Sequence, residues 1–396
     1  MFKRYFIFLA LLLSGCQHTS IGSLSQISRD KASFSQSSTC ETRTLQNKNF
    51  ESIWNRMRSG FCFRNIHSSR ITQEINWMKR NKDFVYRSIE RSKPYLHHIL
   101  VYLEKRNLPH ELALLPMVES GFQPFAYSAS RAAGIWQFIP PTAKEYGLKM
   151  NWLYDGRRDV LESTKAATYF LGDMHRHFKG NWLLAIASYN TGAGNVGKAI
   201  DRANKLFGSP SYWDLNLPRE TELYVPRLLA LSKIIYNPAK YGFKIPEIKN
   251  KRFTQKVKIY DPIDFQTLSI ITGLSVKELT NLNPGYSTWI IDPAQQNTLL
   301  LPNESSKVFK ERYNKISKSI YANKVHKVKK GDSLYKISRI YNVKISSIKK
   351  VNGLSKDTIY INQKIKIPSE FTSSTKEFII VNKVKYYINK KQITFN

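Results

Sequence analysis

The sequence predicts a multidomain chain: an all-α domain followed by small strand–helix–helix–strand (βααβ) modules. Three observations lead there. At 396 residues the chain exceeds what one hydrophobic core ordinarily organises, so two or three domains are expected. Between Ser92 and about Lys240, apolar residues recur at helical spacing. Beyond that point, the apolar pattern of residues 265–283 returns after a shift of 69 positions, which marks an internal repeat.

The elements follow in chain order. Lys3 and Arg4 precede an apolar run from Phe6 to Leu13, too short to span a bilayer, and Leu13-Ser14-Gly15-Cys16 closes it. This resembles the lipobox of bacterial lipoproteins. The resemblance implies a signal peptide at 1–15, lipidation of Cys16 and a periplasm-facing, lipid-anchored chain. By resemblance to enterobacterial lipoprotein sorting, Gln17 rather than Asp after the Cys implies the outer membrane over the inner. An exported chain sits in an oxidising compartment, so the two remaining cysteines, Cys40 and Cys62, are expected to pair. Residues 16–48, rich in Ser, Thr and Gln, read as a flexible tether, and 49–91 as a helical strap. The formal net charge of +33 calls for anionic surroundings. An exported lipoprotein does not meet nucleic acid, which leaves the cell wall and lipid head groups.

Residues 92–245 form the expected α-domain. Pro94 opens a helix carrying Leu96, Ile99, Leu100 and Leu103. Pro109 opens the next, with Leu112, Leu115 and Val118 on one face and Gly121 ending it. Glu119 therefore lies in the last turn of an apolar helix. The carbonyl end of the helix and burial both disfavour its charged form, which suits a general acid at neutral pH. Ser163-Thr164 are expected to cap a helix whose Ala167, Phe170, Leu171, Met174 and Phe178 share a face. Trp182–Tyr189 and Tyr224–Ile235 are further apolar segments. Gly192-Ala193-Gly194-Asn195-Val196-Gly197-Lys198 imitates a nucleotide-binding loop, but Ala199 stands where a phosphate loop needs Ser or Thr, and a helix rather than a strand precedes it. No nucleotide is expected. His97-His98 and His175/His177 have spacings that diverge on a helix, so no metal or other cofactor is expected either.

In the repeat, Phe265, Leu268, Ile271, Leu274, Val276, Leu279 and Leu282 fall on Leu334, Ile337, Ile340, Val343, Ile345, Ile348 and Val351, and Asn283 falls on Asn352. Each unit closes in an apolar strand and a Pro. The second unit, 324–368, with Gly331-Asp332-Ser333-Leu334, looks like a lysin motif. The first, 257–302, is a degenerate copy with Ile263-Asp264-Phe265 in place of that signature. Residues 303–323 read as a Lys- and Ser-rich linker, and 369–396 as a basic tail containing a hairpin at Phe378–Val381 and Val384–Ile388.

Four motifs occur in order along the α-domain: Glu119-Ser120-Gly121-Phe122, Ala133-Gly134-Ile135-Trp136-Gln137-Phe138, Ala187-Ser188-Tyr189-Asn190-Thr191-Gly192, and Glu220-Thr221 with Tyr224-Val225-Pro226. The set resembles the catalytic domain of the soluble lytic transglycosylase family, whose fold is goose-type-lysozyme-like. The resemblance implies a carbon–oxygen lyase acting on peptidoglycan glycan strands. Glu119 would be the single catalytic acid/base. Ser128, Gln137, Tyr189, Asn190, Glu220 and Tyr224 would bind substrate or order the cleft. Glu119 would protonate the bond between N-acetylmuramic acid and N-acetylglucosamine, then accept the C6 hydroxyl proton as a 1,6-anhydro ring closes. A water-using muramidase is the competing reading; it needs a second carboxylate, for which Asp155, Asp159 and Glu220 are available. A non-catalytic wall-binding lipoprotein is the third, against which stands the intact set of Glu119, Gln137 and Tyr189.

Overall fold

The computed structural model describes residues 49–260, 262–320, 325–341, 343–367, 378–381 and 384–387. The expected signal peptide and tether, with Cys16 and Cys40, lie outside the described residues.

The N-terminal strap is three helices. α1 (Ile53–Ser59) starts at Ser52, whose hydroxyl accepts the Trp54 N–H at 3.2 Å. α2 (Ser69–Arg80) and α3 (Lys82–Ser92) bury Ile71, Ile75, Met78, Val85 and Ile89 along one face. These side chains share one continuous core with the α-domain, from Ile53 to Ile248. The ends of this unit meet: the Ile53 N–H donates to Ile248 O at 2.9 Å and the Asn250 N–H to Glu51 O at 2.6 Å. Arg56 grips Glu104 of the next helix through two parallel bonds, 2.8 and 2.5 Å.

The remaining helices are α4 (Leu96–Glu104), α5 (Leu115–Ser120) after a 3-10 turn at His110–Leu114, α6 (Pro140–Glu145), α7 (Val160–His177), α8 (Trp182–Thr191), α9 (Ala193–Phe207) and α10 (Arg219–Tyr236). In α10 Val225, Leu228, Leu229, Ala230, Leu231, Ile234 and Ile235 are all buried, so apolar residues surround it and it forms the axis of the unit. One expectation is corrected at α7. Its cap is Asp159, whose carboxylate accepts the Leu161 and Glu162 N–H groups at 2.9 and 3.0 Å. Ser163 and Thr164 lie inside the helix, where their hydroxyls donate back to Asp159 O and Val160 O. A charged acceptor at the positive end of the helix outcompetes hydroxyls one turn later.

The first small module comprises β1 (Thr254–Lys258), β2 (Ile263–Asp264), α11 (Phe265–Thr272), α12 (Val276–Leu282), β3 (Ile290–Ile291), β4 (Thr298–Pro302) and α13 (Asn303–Ile320). β1 and β4 pair antiparallel, Thr254 opposite Pro302, and β2 pairs with β3. The expected linker at 303–323 is contradicted over residues 303–320, which form α13. Phe309 and Tyr313, four residues apart, stack at 4.6 Å between centroids and are buried in the module core. Glu304, Lys307, Lys310 and Glu311 are exposed on the other side of this helix.

The second module has the expected order: β5 (Val325–Lys327), α14 (Leu334–Tyr341), α15 (Ile345–Asn352) and β6 (Lys364–Lys366), with β5 and β6 antiparallel. The repeat holds at the level of single bonds. Asn283 donates to Leu279 O and Leu300 O, both at 2.9 Å, and accepts the Leu300 N–H at 2.6 Å. Asn352 donates to Ile348 O and Lys366 O and accepts the Lys366 N–H, all at 2.8 Å. Each Asn thus ties the second helix to the closing strand. Asp264 and Ser333, also related by the repeat, each cap their first helix. Ile340, by contrast, is 56% exposed, whereas its counterpart Ile271 is buried. Asn352→Ala removes three hydrogen bonds and is expected to cost about 2–4 kcal/mol. Faster hydrogen exchange at the β6 amides checks this. Beyond it, β7 (Phe378–Val381) and β8 (Val384–Tyr387) form the antiparallel hairpin expected in the tail.

The first module is docked on the α-domain. Tyr154 donates to Asp159 Oδ2 at 2.8 Å and accepts from Gln296 at 3.0 Å, and its ring meets Tyr286 at 5.4 Å. The Asp155 N–H donates to Gly285 O at 2.7 Å, an approach that a Cβ on Gly285 would obstruct at 2.9 Å from the Tyr154 ring. No helix among the described residues is long and apolar enough to cross a membrane.

Candidate active site

Glu119 sits in the last turn of α5, and the sequence around it explains how it is held. Gly121 takes a left-handed conformation, φ +59°, and the Phe122 N–H reaches back to Pro116 O at 3.0 Å, which ends the helix. The Ser120 hydroxyl donates to Pro116 O and to Ile135 O, at 3.1 and 3.0 Å, fastening α5 to the second motif. The Arg91 guanidinium donates to Gly121 O at 3.1 Å. The helix end can therefore shift little.

The second motif wraps beneath it. Trp136 is fully buried and its indole N–H donates to Thr164 at 2.8 Å. Gln137 has φ +50°, a left-handed conformation that costs a residue with a Cβ about 1–2 kcal/mol. Its amide donates to Gly134 O at 2.6 Å and Ala126 O at 3.3 Å. Gly134 itself has φ +81°, and a Cβ there would lie 2.0 Å from Arg157 O. Gly134→Ala is expected to cost about 3 kcal/mol or more from strain and overlap together, read as a lowered melting temperature.

The third and fourth motifs complete the site. The Tyr189 hydroxyl donates to Trp136 O at 2.8 Å, and its ring packs on Phe138 and Phe170. Tyr224 donates to Glu119 Oε1. Asn190 lies between two α10 residues, donating to Glu220 at 3.3 Å and accepting from Thr221 at 2.7 Å. Glu220 is exposed, yet close enough for its charge to act on Glu119. Ser128 is placed differently: its hydroxyl meets Ser130 at 2.8 Å and accepts the Ala132 N–H at 3.0 Å, within its own loop.

Glu119 is half-buried, with the carboxyl ringed by protein. Burial pushes its pKa up to about 8; the Tyr224 hydrogen bond opposes the shift and the Glu220 charge adds to it. The carboxyl is mostly protonated at neutral pH. Burial and the Glu119 charge hold both Tyr189 and Tyr224 well above the usual phenol range, so both are hydrogen-bond donors. Tyr224 occupies Oε1 of the carboxyl.

Two of the three carboxylates available to a water-using mechanism are committed elsewhere. Asp155 holds Arg157 through bonds of 2.9 and 2.7 Å, and Asp159 caps α7. The imitation phosphate loop is the junction of α8 and α9, with Gly192 at φ +85° between the two helices. His98 meets Thr254 O at 3.0 Å across the module boundary, and His175 stacks on Trp182 at 4.0 Å. Cys62 is in a disulfide.

Sequence reasoning missed two residues near this site. Arg91 supports the turn after Glu119. Glu111, fully buried, accepts the Cys62 and Phe63 N–H groups at 2.6 and 2.7 Å, and burial raises its pKa to about 7. Neither belongs to a motif, and both act on backbone groups distant in sequence.

The chain is similar to several known proteins. The transglycosylase SLT domain model matches residues 101–209, the LysM domain model residues 326–368, and the model of the LysM-like domain of lytic transglycosylase MltD residues 253–318. Membrane-bound lytic murein transglycosylase D of Escherichia coli (strain K12) is 39% identical over 245 residues, 62% of this chain and 54% of that protein. Its counterpart in Escherichia coli O6:H1 matches equally, with 39% identity over the same 62% and 54%. Membrane-bound lytic murein transglycosylase F of Shewanella sediminis is 29% identical over 140 residues, 34% of this chain and 26% of that one. The match thus spans about half the length of the first two relatives. The chain carries a helical, lysozyme-like SLT domain, with a LysM-like module and a LysM module behind it.

Proposed function

We propose that the chain is a peptidoglycan lytic transglycosylase that cleaves the bond between N-acetylmuramic acid and N-acetylglucosamine without water. The observation that carries this is Glu119, a carboxyl with its pKa pushed to about 8 and fixed through Oε1 by Tyr224; Oε2 is assigned to the substrate. Protonated Glu119 donates to the glycosidic oxygen as the bond to C1 breaks, and the muramic ring takes oxocarbenium character. The carboxylate so formed accepts the proton of the C6 hydroxyl of that same ring. O6 closes on C1, and Glu119 is protonated again. One group serves both transfers because the acid of the first step is the base of the second. A general acid/base of this kind contributes about 10²–10⁴ in rate. Gln137, Tyr189 and Asn190 are assigned to holding the glycan, with Glu220 ordering Asn190. Ser128 is assigned to the mouth of the cleft through its loop.

We further assign glycan binding to the LysM module, lipidation to Cys16, pairing with Cys62 to Cys40, and the periplasmic face of the outer membrane to the anchored chain. The support for the last three is the lipobox, Gln17 and the disulfide at Cys62. A gel containing embedded cell walls tests the activity: the wild-type chain clears a zone, and Glu119→Gln leaves it opaque. Clearing by both would remove Glu119 from the mechanism.

A further inference from the structure

We propose that the groove between the α-domain and the first LysM-like module is a binding site for the peptide stems of the glycan strand. The proposal rests on the transglycosylase reading for its substrate. The groove encloses about 430 Å³ and is lined by Arg91, Pro94, Phe125, Ala126, Asn281 and Leu282 among others.

Its position is the first argument. One wall is the loop directly after Glu119-Ser120-Gly121. Arg91, at its edge, holds Gly121 O at 3.1 Å. Ala126 lines the groove while its carbonyl accepts the Gln137 amide at 3.3 Å. The groove therefore shares its loop with Gln137, a residue assigned to holding the glycan, and a substituent on a sugar held there would lie beside the groove. The other wall is Asn281 and Leu282, at the end of α12. That wall is fixed: the Tyr95 hydroxyl donates to Asn281 O at 3.0 Å, and Asn283 ties α12 to β4. Docking of the module on the α-domain is what creates the groove.

Its chemistry is the second argument. The walls are mainly apolar, with Phe125 47% exposed, and no carboxylate lines them. Arg91 makes no ion pair among the described residues, and Arg87 adds a second positive charge nearby, itself paired only at 3.9 Å with Asp83. An uncompensated guanidinium in an apolar slot selects a carboxylate carried by a small apolar group. N-acetylglucosamine offers no such group; N-acetylmuramic acid offers one in its lactyl arm, which becomes an amide where a peptide is attached. A short wall peptide, with methyl side chains and free carboxylates, offers both.

The test uses the chain in the inactive Glu119→Gln background and measures affinity by calorimetry for glycan oligomers of equal length with and without their peptides. The intact groove is expected to favour the peptide-bearing oligomer about tenfold. Asn281→Trp, which fills the groove from the module side, and Phe125→Ala, which removes a wall, are each expected to bring that ratio toward one. Arg91 is left in place because it also supports Gly121. A ratio near one in the intact groove, or a ratio that neither variant changes, overturns the proposal. Equal weakening for both oligomers would make the groove a sugar site and overturn the peptide assignment. Because binding is read in an inactive protein, this outcome is independent of whether the wild-type chain cleaves glycan.

Discussion

Glu119→Gln is expected to lower the rate of strand cleavage by about 10²–10⁴ while the chain stays folded and bound to its substrate. The amide keeps the shape of the side chain and can still accept from Tyr224, but it cannot deliver a proton. The same substitution has a second consequence, through stability. The folded-state pKa of Glu119 is raised to about 8, above the ordinary carboxyl range. A group shifted in that direction contributes its full share below the unfolded pKa, and the contribution is lost as pH rises through the folded one. The wild-type chain should therefore lose stability between about pH 4 and 8 at this site, and Glu119→Gln should not. Thermal melts at pH 5 and pH 9 check this. The variant should melt higher at pH 9, with a smaller gap at pH 5. A gap independent of pH would mean that burial does not set the protonation of Glu119. An active site that stores such a penalty trades stability for function.

Tyr224→Phe is expected to move the alkaline limb of the pH–rate profile upward. The Tyr224 hydroxyl donates to Glu119 Oε1 and favours the charged form; it is the one cause that lowers the Glu119 pKa against burial and Glu220. A hydrogen bond to a charged group is worth about 1.5–3 kcal/mol, so its loss should raise the pKa by about one unit or more. The acid of the first step then stays protonated to higher pH. The base of the second step is less well stabilised, and maximal turnover should fall about tenfold if the full bond is lost from the carboxylate. A profile shifted toward acid pH would show that Tyr224 acts otherwise. Glu220→Gln gives the opposite sign. Removing the nearby negative charge should lower the Glu119 pKa and move the alkaline limb down.

Much of this was legible in the sequence because it is local. The stop at Gly121 and the place of Glu119 in the last turn follow from spacing within a few residues, although Leu112, expected on the same helix, lies in the 3-10 turn before α5. The repeat was legible because two modules must bury the same faces and close with the same Asn. Ile340 departs from that pattern and is exposed. The misreadings also have physical causes. α13 exposes Glu304, Lys307, Lys310 and Glu311, and Phe309 and Tyr313, four apart, show that the other side is buried. At α7 two hydroxyl residues suggested a cap that the earlier Asp159 provides. Arg91 and Glu111 were beyond reach because each acts on a backbone group some thirty to fifty positions away in the chain. Ser128, in the same motif neighbourhood as Gln137, bonds within its own loop, to Ser130 and Ala132.

In this mechanism one carboxyl both protonates and deprotonates, so no water enters the product. Mass spectrometry of the fragments released from purified cell walls reads this out. The wild-type chain should release fragments lighter by one water than those of a muramidase, ending in 1,6-anhydromuramic acid, and Glu119→Gln should release them about 10²–10⁴ times more slowly. Fragments with ordinary reducing ends would contradict this mechanism and turn attention to Glu220 as the carboxylate that activates water.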